Sequence, residues 1–67
     1  MREESLGKFL VSNFTGGNIV NEEFLINKGY SPTYLQTIVN EGYIKKIRSL
    51  DKIQYIITDK GKIKRDK

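Results

Sequence analysis

No cysteine and no histidine occur in the chain. Without cysteine there is no disulfide framework and no thiolate metal site. Without histidine the commonest general base and the commonest non-thiol zinc ligand are both missing. The eight carboxylates show no pairing that the sequence places in one pocket, and no nucleophile has a base beside it. Neither catalytic residues, nor a metal, nor a cofactor is expected. No apolar run approaches the roughly 18 residues of a membrane span, and the charged N-terminus lacks an apolar signal core. The expectation is a soluble, cytoplasmic protein that is not an enzyme.

Alanine is absent too, while Ile, Lys, Asn and Tyr abound, a bias that points to an AT-rich genome. At 67 residues the chain forms one small domain. A chain of that size buries only about 60% of its unfolded surface, so its core is thin. Charge is unevenly spread. Residues 1–42 carry three basic and five acidic groups, a net of −2; residues 43–67 carry nine basic and three acidic groups, a net of +6. A basic half on so small a domain is the footprint of a polyanionic partner.

One stretch, residues 29–44, carries the most information. Ser31 is a good N-cap and Pro32 suits the first helical position. Tyr30 and Leu35 have the spacing of a hydrophobic staple, and Gly42 stands where a left-handed residue closes the helix, with Tyr43 packing back on Ile38. A helix over 32–41 follows. Leu35, Ile38 and Val39 form its inward stripe, whereas Thr33, Gln36, Thr37 and Asn40 make a polar, uncharged face. Such side chains donate and accept toward base edges, and Asn or Gln grips adenine at two points.

Before it, residues 3–14 place Leu6, Phe9, Leu10 and Phe14 on one helical face, with Glu3 and Glu4 near the N-terminal dipole. Thr15-Gly16-Gly17 ends that helix, and residues 18–20 are briefly extended. A helix over 21–28 opens on Asn21 as its cap, carries Glu22 and Glu23 in its first turn, and closes at Gly29. Two short helices around a glycine-containing turn make a helix-turn-helix. After Gly42 the period changes to 2. Residues 43–58 read as a β-hairpin with a four-residue connection at 49–52. Ile53, Tyr55 and Ile57 are its core face, with Ile44 opposite, and Lys45, Lys46, Arg48 and Lys52 ring its rim. Thr58 and Asp59 open a last turn anchored only by Ile63, and residues 64–67 read as a frayed basic tail.

The expected fold is therefore α+β, with three helices, a short strand and a C-terminal two-stranded hairpin. In that order the chain resembles a winged helix-turn-helix, particularly small regulators of the MarR and PadR type. The resemblance lies in residues 18–25, 30–44 and 55–61 and spans nearly the whole chain. It implies that residues 32–41 are a recognition helix and that 45–52 lie on the wing. Two departures stand out. The central helix is about one turn short and has no Arg or Lys, and the chain has no long C-terminal dimerising helix. A homodimer, if formed, is expected through residues 5–14. The function expected is sequence-specific binding of double-stranded DNA by a small transcriptional regulator, of phage, virus or plasmid type. Thr33, Gln36, Thr37 and Asn40 would read bases, while Lys45, Lys46, Arg48 and Lys52 would hold phosphates. The alternative is a winged-helix protein-interaction module within a larger assembly.

Overall fold

A computed structural model describes residues 5–66. Seven elements follow in order: α1 (Leu6–Phe14), β1 (Ile19–Asn21), α2 (Glu22–Asn27), α3 (Pro32–Asn40), β2 (Ile44–Ser49), β3 (Lys52–Ile57) and α4 (Asp59–Asp66). The three strands form one antiparallel sheet in the order β1-β3-β2. This is a small α+β domain with four helices among the described residues, one more than the sequence suggested.

Helix ends follow local chemistry closely. Ser5 caps α1 through its hydroxyl, which accepts from the Lys8 N–H; the expected roles of Glu3 and Glu4 lie outside the described residues. Ser31 caps α3, accepting from the Tyr34 N–H at 3.1 Å, with Pro32 behind it. Both α2 and α3 end in the same paired closure. Gly29 N–H donates to Ile26 O and Tyr30 N–H to Leu25 O; Gly42 N–H donates to Val39 O and Tyr43 N–H to Ile38 O. That pattern needs a left-handed residue, and Gly29 (φ 102°) and Gly42 (φ 86°) supply it. One cap differs from expectation. Asn21 stands at the start of α2 but makes no capping bond; its Oδ1 accepts from Gln54 Nε2 at 2.8 Å. The β1–β3 register sets Asn21 opposite Gln54, so the cross-strand amide claims the oxygen.

The core gathers Phe9, Leu10 and Phe14 of α1, Leu25, Tyr30, Leu35 and Ile38 of α2, α3 and the turn between them, and Ile44, Tyr55 and Ile57 of the sheet. Val39 and Ile53 are only partly buried beside it. Phe9 meets the edges of Tyr30 and Tyr34, and those two rings stack 5.8 Å apart. Asn13 is the buried polar residue of this region. Its amide donates to Phe9 O and to Tyr30 Oη, and its oxygen accepts from Lys28 Nζ at 2.7 Å. Every arm of that side chain is thereby satisfied, and α1 is tied to the turn that launches α3.

The C-terminus corrects the sequence reading. Residues 64–66 are helical, not a frayed tail, because α4 packs on α1. Ile63, expected to anchor it, is 64% exposed. Gly61 is the docking point instead: a Cβ there would collide with Tyr43 O and lie 2.7 Å from Ile57 Cγ1. Arg65 completes the contact by donating to the open Phe14 carbonyl at 2.8 Å, which caps α1 from a distance of 51 residues.

Candidate nucleic-acid interface

Thr33, Gln36, Thr37 and Asn40 all lie exposed on one side of α3 and together line an open groove. They are not independent. Gln36 Nε2 donates to Asn40 Oδ1 at 2.9 Å, one turn apart, and Thr37 Oγ1 donates back to Thr33 O at 3.0 Å. Asn40 thus accepts from Gln36 through its oxygen, and its amide nitrogen carries two further donors. An amide oxygen has a second lone pair, so the two-point geometry for adenine is preserved.

Glu22 of α2, Lys46 of β2 and Tyr55 of β3 complete the groove lining. The register pairs Lys46 with Tyr55 and Arg48 with Ile53, so these two cations alternate onto the helix-facing side of the sheet. Lys46 lines the groove with the α3 face. Lys45 pairs with Ile56 on the other side of the sheet, and Lys52 pairs with Ser49 where the hairpin closes. The four basic residues are all exposed, but they do not form one rim. Strand alternation splits them, a consequence of the period of 2.

Glu22 is the groove residue that the sequence did not mark as one. Its Oε2 accepts from Tyr55 Oη at 2.6 Å, across 33 residues, and both side chains border the groove. Burial first, then the bond to Glu22 and the carboxylate's own charge, push the Tyr55 phenol above its ordinary range. The tyrosine is therefore held as a neutral donor that fixes the carboxylate. A carboxylate in such a groove repels phosphate and accepts from the cytosine amino group. Its position in the first turn of α2 explains why it looked like a dipole partner and nothing more.

A clamp fixes the far end of α3. Lys60 Nζ donates to Glu41 O at 2.7 Å and lies 4.6 Å over the Tyr43 ring. Thr58 Oγ1 sits 2.6 Å from Gly42 O and 3.0 Å from Tyr43 O, and it accepts from Gly61 N–H at 3.1 Å. Cation, hydroxyl and close glycine contact all converge on the last carbonyls of the helix and the start of β2. Helix and hairpin thus meet at a set angle, and Lys60 serves the fold with its charge.

Comparison with protein-family models, curated proteins and solved structures returned no match. Among the described residues no cluster of three or more Asp or Glu side chains is placed to hold a metal. None of the described helices is long and apolar enough to cross a membrane.

Proposed function

We propose that the chain is a winged helix-turn-helix domain that binds double-stranded DNA sequence-specifically, as the reading head of a small cytoplasmic transcriptional regulator. One observation carries this: four uncharged polar side chains of a short, doubly capped helix and the Lys46 ammonium line the same open groove. The element order and the β1-β3-β2 sheet support the winged-helix assignment. In this reading α3 enters the major groove, with Gln36 and Asn40 as a linked pair on base edges and Thr33 and Thr37 beside them. Lys45, Arg48 and Lys52 neutralise phosphate on either side of the hairpin, and Lys46 works from inside the groove. Glu22 adds selectivity, since its carboxylate excludes a phosphate from that wall.

The homodimer expected through residues 5–14 draws no support from the packing. Phe9, Leu10 and Phe14 are buried in the core, which leaves Val11 exposed on α1. The second reading, a protein-interaction module, is favoured by Phe24, 52% exposed on α2. Salt separates the two. Titration of labelled duplexes by fluorescence anisotropy at two salt concentrations should show steep weakening for DNA binding. A selected duplex should also beat a random one. Salt-insensitive or absent binding would transfer the function to the Phe24 surface.

A further inference from the structure

The hairpin turn is tighter than its sequence suggested. Ser49 pairs with Lys52, so only Leu50 and Asp51 connect the strands. Leu50 has φ 51°, and it is the one described non-glycine residue at positive φ. Two-residue hairpins place Gly, Asn or Asp at such a position, because a Cβ is disfavoured there. Leu50 is also fully exposed, with no packing partner in the core. The fold draws nothing from leucine here: glycine would suit the turn better and a polar residue would suit water better. Arg48 and Lys52 flank the tip, both exposed. Asp51 and Lys52 border a recess with Glu22 and Glu23 at the start of α2, and Glu22 also lines the α3 groove.

Strand β2 leaves the end of α3 at Ile44 and runs six residues to Ser49. At about 3.3 Å per residue it carries the tip roughly 17–20 Å from the helix end. Half a turn of B-DNA, the step from a major groove to the flanking minor groove, is about 17 Å. The lengths match. Apolar side chains that enter a minor groove part-unstack a base step and kink the duplex.

We propose that Leu50 is such a wedge: while α3 occupies the major groove, the Leu50 side chain enters the adjoining minor groove and opens a flexible pyrimidine–purine step, with Arg48 and Lys52 on the bordering phosphates. The proposal rests on the DNA-binding reading above. It gives the tip a preference for TA or CA steps that no hydrogen bond reads.

The test uses the full chain and a duplex selected by it from a random-sequence pool, labelled at both ends for energy transfer and carrying 2-aminopurine at the flexible step. Leu50→Gly fits the turn and removes the wedge, whereas Leu50→Met keeps an apolar tip. Leu50→Gly is expected to melt no lower than wild type and to keep its salt dependence, because no charge has changed. It should bind the selected duplex about tenfold more weakly. The end-to-end shortening and the 2-aminopurine signal should vanish with Leu50→Gly and persist with Leu50→Met. Equal bending by wild type and Leu50→Gly overturns the wedge and leaves DNA binding intact. Failure of every variant, wild type included, to bind any duplex overturns both. Self-association of the free protein that Leu50→Gly abolishes would assign the tip to a second copy and overturn the wedge as well.

Discussion

Gly42 and Gly61 stand 19 positions apart and are needed for different reasons. Gly42 is at φ 86° with open space around it; its nearest prospective contact is a flexible Lys60 carbon at 3.8 Å. Gly61 is helical and has no space at all. Asparagine tolerates the left-handed region, so Gly42→Asn should be mild while Gly42→Val costs about 1 kcal/mol or more. At Gly61 even alanine must displace a backbone carbonyl, and Gly61→Ala should cost at least ~2 kcal/mol with no rescue by asparagine. Urea unfolding of the four variants checks the contrast. Tyr55 supplies a pH dependence of known sign. Its phenol is raised above the ordinary value of 10.0 by burial and by Glu22. Above that pH the unfolded chain loses a proton that the folded chain keeps, so this group's contribution to stability declines as pH rises. Tyr55→Phe should be less stable at neutral pH by about 1–2 kcal/mol, and its deficit should shrink on the alkaline side. Paired unfolding curves measured from neutral to alkaline pH reveal the narrowing.

At the scale of elements, α3 was legible and α4 was not. The ends of α3 are written in Ser31, Pro32 and Gly42, and each signal acts within a few residues. Its inward stripe was legible too: Leu35 and Ile38 are buried. Ile38→Ala should therefore cost about 2–4 kcal/mol, a large share of a small domain's stability. A thermal melt followed by circular dichroism decides it. Helix α4 has a different origin. Its sequence is strongly polar, and its one large apolar residue, Ile63, faces solvent. What holds it is contact with distant backbone, Gly61 on Tyr43 and Arg65 on Phe14 O. Deleting residues 59–67 should abolish the cooperative melt or lower its midpoint by many degrees. A frayed tail would be removed without effect.

For the whole molecule, the proposed DNA interface separates into parts with distinct signatures. Lys45, Arg48 and Lys52 offer only charge, so replacing each with Ala should weaken selected and random duplex alike and lower the salt slope by about one unit. Gln36 or Asn40 replaced by Ala should leave random-duplex affinity nearly intact and narrow the discrimination by roughly 1–3 kcal/mol. Lys46 shares the groove with those two, and Lys46→Ala should move both quantities. Anisotropy titrations at several salt concentrations resolve the three classes. If Lys46→Ala behaves like Lys45→Ala, the groove is not where bases are read.

By itself the sequence determined whatever depends on neighbours within about one turn or one pleat. It specified the boundaries of α3, the left-handed glycines, the core stripe, the change of period at Gly42 and the polar face of Thr33, Gln36, Thr37 and Asn40. Capping bonds and the periods of 3.6 and 2 are local, so they can be read off the chain. The tertiary structure decided the rest. Strand register placed Lys46 in the groove and Lys45 behind it, and it turned Asn21 from a cap into the partner of Gln54. Chain closure brought Tyr55 onto Glu22, Lys60 onto the end of α3 and Arg65 onto the end of α1. Each of these joins residues between 19 and 51 positions apart. No local pattern specifies such a meeting, because it exists only once the sheet and helices have packed.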